Sequence, residues 1–508
     1  METPHSLMTR RYPPPDRETL ARATLTYCLD GADAIMYATI KGAGSGTEAL
    51  KLIIGSRPGN AGAAATTARK ELDHVFAVGL ARWGSRITPQ GTRAFRKALA
   101  GWHARLDTLP TLDWEHLDGW FTMDGAQWII GPASPYWPHQ LQDLSTRRDW
   151  ASPLCLWGVG DVRALVSCAK PIAVVGSRGA TDYGRAVARE VAMRCAAAGH
   201  LIVSGGALGT DAAAHWGALA AADERAWRSR GDMTDPDDAD PARGVGRTVA
   251  VFAGGLNHIG PSTNLLLFER MVEQGGVLIS ELCPGTIPEA RRFLLRNRII
   301  AALASTVVVA QARLRSGALS TANWANDLNR EVIAVPGLIT MPHNAGCNRI
   351  IADHQAMLLA SVEEIDELVH PAHRPELGEE PWKKPEAAGD DGTGGDSMDG
   401  DGTDGDGKAD RAPEPASDAG GGVAADGDSA TEREDALAAS QRAVLTAIRS
   451  CRRRRTPVTP DVLLARLRED DPDAAMPRLL ADLGELEALG LIRREQGEVR
   501  LVRGTAGT

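Results

Sequence analysis

The residues best suited to chemistry in this chain are arginines set beside glycine-rich turns. Arg178 closes Gly176-Ser177-Arg178, and Arg296-Asn297-Arg298 forms a second basic site with Phe293 just before it. Four further turns are built alike: Gly205-Gly206-Ala207-Leu208-Gly209, Gly254-Gly255-Leu256-Asn257, Ser316-Gly317 and Pro336-Gly337. A sixth, Glu281-Leu282-Cys283-Pro284-Gly285, carries an acid. Glycine lets a backbone approach a ligand closely, and the free N–H groups of a following helix start favour an anion. A guanidinium fork matches phosphate oxygens. Arg178 therefore reads as a phosphate clamp or as an ordinary surface arginine, and Phe293 as a stacking ring or as a core residue. The basic triplet is expected at a helix N-terminus, because it opens the apolar run from Ile299 to Leu303. The helix dipole disfavours cations there unless an anion binds.

Other chemistries find less support. The dinucleotide spacing G-x-G-x-x-G is absent, since Gly176 is followed by Gly179 and Gly184, and there is no P-loop, so no cofactor is expected. Asp211 and His215 are four apart and would share a helix face, but no third metal ligand is apparent. Thr210 or Asp211 reads as a helix cap, and His215 as a packed, hydrogen-bonded side chain. No G-x-S-x-G surrounds Ser204, Ser280 or Ser316. No catalytic or metal-ligating residue is assigned.

The turns follow short apolar runs at 172–175, 201–204, 248–252, 277–280, 306–310 and 332–335. They are nearly continuous rather than alternating, as in parallel strands buried on both faces. The expected fold class is α/β, a doubly wound, mostly parallel sheet, with all six turns at the carboxyl edge where such sheets bind ligands. Residues 221–246 read as an inserted surface loop. Residues 1–83 read as a small helical domain, 84–165 as a lead-in subdomain, 166–372 as the α/β core, 373–436 as a disordered acidic linker and 437–505 as a winged helix of three helices and a hairpin. The run Arg452-Arg453-Arg454-Arg455 falls between the first two of those helices; it could touch a DNA backbone or be a solvated loop.

The formal charge of −10 is concentrated. Between residues 390 and 435 fifteen acids face three bases, which leaves the remainder near +2. An acidic total so distributed does not exclude a nucleic-acid partner. The same segment is Gly/Asp/Ala-rich and too poor in apolar residues to fold, and its DGDG pieces miss the spacing of a calcium loop. Seven scattered cysteines, none in a C-x-x-C pair, suit a reduced, cytoplasmic setting. No run approaches about 18 uninterrupted apolar residues, so no membrane span is expected.

Read in order, these motifs resemble the DNA-processing A (DprA/Smf) family. The resemblance rests on Ala173-Val-Val-Gly-Ser-Arg178, Tyr183-Gly184, Val203-Ser-Gly-Gly-Ala-Leu-Gly-Thr-Asp-Ala-Ala-Ala-His215, Gly254-Gly-Leu256 and Leu278-Ile-Ser-Glu281. It continues through Phe293-Leu-Leu-Arg-Asn-Arg-Ile299, Ser316-Gly-Ala-Leu-Ser-Thr-Ala322, Val335-Pro-Gly337 and Gly346-Cys347-Asn348. It implies an extended Rossmann-like fold that binds single-stranded DNA without being an enzyme, protects strands during transformation or recombination, loads the RecA recombinase and works as a homodimer. Carried over by motif, Gly176, Ser177 and Arg178 would hold phosphate, and Gly205 and Gly206 would line the same pocket. Phe293, Arg296, Asn297 and Arg298 would face it, and Ser316 and Gly317 would add a further phosphate turn. The sequence departs from the family pattern where Leu208 replaces a common basic residue, Gln311 a usual acid and Gly260 a usual tyrosine.

Two other readings find less support in the sequence. A phosphoribohydrolase-type nucleotide enzyme would need P-G-G-x-G-T-x-x-E, and Ala253-Gly-Gly-Leu-Asn257 lacks the threonine and glutamate. A winged-helix transcription regulator with a nucleotide-sensing domain would need a basic recognition helix, whereas the third helix carries Asp482, Glu485 and Glu487.

Overall fold

The structure is a computed structural model. It describes residue 7, residues 11–373 apart from 32, 61, 147–149 and 232–243, and then 439–453, 458–470, 479, 482–484, 486–487, 492–495 and 498–501. The chain divides into two compact units, 1–392 and 393–508.

In the first unit six helices come first: α1 (Arg17–Tyr27), α2 (Ala34–Ala43), α3 (Gly46–Gly55), α4 (Ala63–Arg82), α5 (Pro89–Leu106) and α6 (Trp114–Thr122). Asp16, Asp33, Ser45 and Thr88 cap four of them by accepting a backbone N–H three residues on. Phe76 of α4 stacks on Phe95 of α5 at 4.4 Å, so the packing is continuous across 83/84.

Among the described residues of this unit, nine strands make one sheet. They are β1 (Trp128–Ile130), β2 (Leu156–Gly160), β3 (Ile172–Gly176), β4 (Ile202–Gly205), β5 (Thr248–Phe252), β6 (Val277–Ser280), β7 (Thr306–Gln311), β8 (Glu331–Ala334) and β9 (Met357–Leu358). Their order is β1-β2-β6-β5-β4-β3-β7-β8-β9. From β6 to β9 every pairing is parallel. The six expected strands are all present and shifted by no more than one residue. Strands β1 and β2 were not expected. They extend the sheet antiparallel beyond β6, with Trp157 opposite Ser280.

The period-2 side-chain alternation of a strand divides the core into two layers. Ala173 and Val175 of β3 pack with α10 (Ala290–Leu303) and α11 (Gly317–Asp327). Ile172 and Val174 pack with α7 (Asp182–Ala197) and α8 (Thr210–Gly231). Helix α9 (Leu265–Glu273) joins the core formed with the N-terminal helices, while α12 (Ala345–Ala352) lies with α10 and α11 and the short α13 (Ile365–Leu368) with α7. The strand order reverses between β3 and β7, the switch point of a doubly wound sheet.

Residues 221–246 do not form one inserted loop. Helix α8 runs on to Gly231 and Val245 is buried; residues 232–243 lie outside the described residues, as does the acidic linker. The helix continues because Ala221 through Arg230 contains neither proline nor glycine, so nothing in its backbone chemistry interrupts the α8 ladder.

The second unit contains α14 (Ala439–Arg453), α15 (Pro460–Asp470) and the hairpin β10 (Ile492–Glu495)–β11 (Glu498–Leu501). Val444, Ile448, Leu463, Leu479, Leu483, Leu486, Ile492 and Val499 share its core. Arg452 and Arg453 end α14 rather than lying in a loop; Arg454 and Arg455 are outside the described residues. No described helix is long and apolar enough to cross a membrane, and all seven cysteines are buried free thiols.

Candidate nucleic-acid interface

A cavity of about 590 Å³ opens at the switch point, over the carboxyl end of β3 and between the segments that follow β4 and β7. The loop after β3 is held from two sides. The Ser177 N–H donates to the Gln311 carbonyl at 2.8 Å, and the Ser177 carbonyl accepts from the Thr210 N–H at 3.2 Å. Close approach restricts both ends of this clamp to glycine. A Cβ on Gly176 would lie 2.5 Å from Thr210 Oγ1, and one on Gly209 would lie 2.4 Å from the Ser177 carbonyl. Gly209 also has φ +77°, where an L side chain is strained. The clamp leaves Arg178 exposed at the rim. Its guanidinium lies over the Phe293 ring, 4.5 Å from the centroid. A cation–π contact at so exposed a site contributes about 0.5–1 kcal/mol and orients the fork.

Helix α10 supplies the opposite wall. Ala290, Phe293, Asn297 and Ile300 line the cavity at helical spacing, and Leu294 and Arg296 flank that stripe. Arg296 is 7% exposed, and its Nε has no hydrogen-bond partner. The equally buried Asp211 lies on the floor below it. Burial pushes the Asp211 carboxyl up, opposed chiefly by Arg296 and then by the Ala207 N–H, the Ser204 hydroxyl and Arg178. Burial likewise pushes Arg296 down, with Asp211 opposing and Arg178 adding to the fall. Two guanidinium groups thus press on one another with a single carboxylate to offset them, an arrangement that a bound anion relieves.

The third wall is the start of α11. Ser316 caps it, accepting the Ala318 N–H at 3.3 Å, and Asn297 Nδ2 donates to the Gly317 carbonyl at 3.1 Å. Ser316, Gly317 and Ala318 border the cavity, as does Ala290 at the start of α10. Two helix N-termini therefore meet at one space, and both favour negative charge.

Gly176, Ser177, Arg178, Phe293, Arg296, Asn297, Ser316 and Gly317 are brought together here. Three expected residues are not. Arg298 is 0% exposed and ion-paired with Glu281 inside the protein. Two residues further along a helix is a turn of about 200°, so Arg298 cannot share a face with Arg296. Gly205 lies beneath the floor rather than in the lining, where a Cβ would sit 2.2 Å from Arg296 Nη1 and 2.5 Å from Asp211 Oδ2. Gly206 borders a neighbouring cavity instead. The basic triplet is also mid-helix rather than N-terminal, because α10 begins six residues earlier, at Ala290.

The sequence offers Thr210 or Asp211 as a helix cap, and the place of Asp211 on the cavity floor has no sequence signal. His215 is packed and hydrogen-bonded, as expected: Nε2–H donates to the Gly205 carbonyl at 2.9 Å, and Nδ1 lies 2.7 Å from Thr248 Oγ1. Gln311 is a staple. Its Oε1 accepts the Thr181 N–H at 2.8 Å and its Nε2 donates to Asn344 Oδ1 at 2.8 Å, tying β7 to the start of α7 and the segment before α12. No group of three His, Cys, Asp or Glu side chains placed to hold a metal ion occurs among the described residues.

The family profile described as DNA recombination-mediator protein A matches residues 128–370, the stretch that builds the whole sheet. A Bacillus subtilis protein named DNA processing protein DprA is 34% identical over 233 residues, which cover 46% of this chain and 67% of that one. The chain belongs to the DprA/Smf family. A DprA-named protein of Mycobacterium tuberculosis is 42% identical over 240 residues, covering 47% of this chain and 54% of its own; the chain thus spans about half the length of that DprA relative. The solved structure of DprA from Streptococcus pneumoniae is 28% identical with a TM-score of 0.43, covering 54% of this chain and 82% of that one. Within this DprA/Smf chain, Gly176 to Arg178, Phe293 to Asn297, and Ser316 and Gly317 all fall inside the matched stretch.

Proposed function

We propose that this protein is a non-enzymatic binder of single-stranded DNA that grips the sugar-phosphate chain in the switch-point cavity, protects the strand and passes it to the RecA recombinase. The observation that carries the reading is the exposed Arg178, laid over Phe293 at a cavity that the buried Arg296 also lines and that two helix N-termini rim. These groups are donors and cations suited to phosphate, and the one side-chain amide among them, Asn297, is tied to the Gly317 carbonyl. Among the described residues lining the cavity, the single carboxylate is Asp211, buried beside Arg296. It has no second acid with which to share acid–base work, which favours binding over catalysis. Membership of a family of recombination mediators supports hand-over to RecA, action in the cytoplasm and a homodimeric working form. We read residues 437–505 as a winged helix, on the strength of the shared core of α14, α15 and the β10–β11 hairpin.

The test is fluorescence anisotropy of the full chain with an oligo(dT) strand over a series of salt concentrations. Arg178→Ala weakens binding about tenfold or more, the scale of a hydrogen bond to a charged group. It also lowers the slope of log affinity against log salt by about 0.7 for one lost phosphate contact. Isotherms that coincide with the unsubstituted protein at every salt concentration would overturn the reading.

A further inference from the structure

The wall that α10 gives to the cavity is least secure at its first turn. Glu289 precedes the helix without a side-chain capping hydrogen bond, and the first turn holds no acid but two arginines, Arg291 and Arg292. The helix dipole disfavours cations there, so local chemistry leaves this turn prone to fray. Yet the turn carries Ala290 and Phe293, which line the cavity, and Phe293 lies under the Arg178 guanidinium.

What secures it comes from a distant part of the chain. In the connection between α1 and α2, Asp30 takes both arginines. Its Oδ1 accepts from Arg292 Nε at 3.2 Å and from Nη2 at 2.6 Å, and its Oδ2 pairs with Arg291. Glu289 closes the group, 3.2 Å from each arginine, so two acids balance two bases. The Arg292 side chain is 12% exposed, and two of its N–H groups converge on one carboxylate. Both features set this contact apart from exposed ion pairs, which contribute little. Beside Asp30, Gly31 abuts α10: a Cβ there would lie 3.2 Å from Leu295 Cδ1. Arg291 and Arg292 sit about 100° and 200° around the helix from Ala290, and neither lines the cavity. The turn is thus held from behind while its front faces the cavity.

We propose that Asp30 is a positioning residue for strand binding: from the N-terminal helices it fixes the first turn of α10, and with it the Phe293 ring under Arg178. The inference rests on the single-strand reading of the cavity. It makes the N-terminal helices a working part of the strand site. A carboxylate acting by its charge alone would repel the strand, so the two modes of action differ in sign.

The experiment measures the anisotropy of oligo(dT) with the full chain carrying Asp30→Asn, Phe293→Leu, or both, with thermal unfolding of each variant alongside. Asp30→Asn keeps the size of a side chain that is 39% exposed and removes its charge. It weakens binding about two- to fivefold, the scale of an exposed arginine–aromatic contact. In the Phe293→Leu background it adds no further loss, as expected of residues that act through one contact. Arg292→Gln, which opens the same latch from α10, reproduces the loss and its dependence on Phe293. Unchanged or tighter binding by Asp30→Asn would overturn the proposal, the tighter result marking a carboxylate that only repels the strand. A loss of equal size with and without Phe293 would refute it as well, since Asp30 would then act on general stability. Salt-independent binding by the unsubstituted protein, matched by Arg178→Ala, would instead sink the single-strand reading itself.

Discussion

Arg298 and Arg296 are two residues apart on one helix, yet they should fail in opposite ways when replaced. Arg298 is 0% exposed and its partner Glu281 is 7% exposed. Removing the arginine alone, as in Arg298→Met, strands the Glu281 carboxylate in the interior. Breaking a buried pair from one side costs about 3–5 kcal/mol. At about 2–4 °C per kcal/mol for a domain of some 150–250 residues, Tm should fall by about 6–20 °C. The pair is also imperfectly satisfied, since Arg298 Nε and Nη1 have no hydrogen-bond partner. Replacing both residues, Arg298→Met with Glu281→Leu, should therefore recover most of the loss, because an apolar pair of similar volume is often neutral or better. The assay is thermal unfolding of the full chain followed by tryptophan fluorescence, for which the fully buried Trp128, Trp137 and Trp157 are reporters within the first unit. Below the transition, the double variant should bind oligo(dT) as the unsubstituted protein does. An Arg298→Met protein that keeps its Tm and loses DNA affinity would show that Arg298 works in the cavity, and the assignment of roles along α10 would be wrong.

Other consequences can be checked in the same preparations. Gly209→Ala forces a side chain to φ +77°, with its Cβ 2.4 Å from the Ser177 carbonyl and 2.5 Å from that of Arg178. It should destabilise by about 1–3 kcal/mol and weaken oligo(dT) binding by displacing Arg178; unchanged denaturation and binding would refute the clamp. Burial pushes the His215 pKa down to about 4, below its unfolded value near 6.5. The neutral ring's contribution is therefore complete above about pH 6.5 and is lost as pH falls through 4. The stability difference between the unsubstituted protein and His215→Gln should shrink over that interval, by on the order of 3 kcal/mol in all. Asp211, whose carboxyl is pushed up, acts in the opposite sense, but it is present in both proteins and cancels in the difference. A difference independent of pH, measured by urea unfolding between pH 7 and 4, would mean that His215 is not held neutral.

Much of the core was legible in the chain. The six parallel strands announce themselves as short runs of valine, isoleucine and leucine, because a strand covered on both faces carries the signal for its own burial. The glycine corners mark the strand ends for a similarly local reason. Strands β1 and β2 gave no such signal. They are three and five residues long, and their place depends on a partner far along the chain, Trp157 opposite Ser280. The error over Arg298 came from starting α10 at the apolar run. With the start at Ala290, helical spacing alone puts Phe293, Asn297 and Ile300 on one face and Arg298 on another.

By itself the sequence determined the α/β class, the carboxyl-edge location of the glycine turns, and the candidacy of Arg178 and Phe293 for a phosphate site. These follow from side-chain periodicity and backbone freedom, which are local properties. Only the tertiary structure decided which arginine faces the cavity, that Asp211 lies beneath it, and that a second cavity adjoins it at the Arg178–Phe293 stack. Those depend on how helices from distant parts of the chain converge over one sheet edge, and burial and charge at such a meeting point are set by all the walls together.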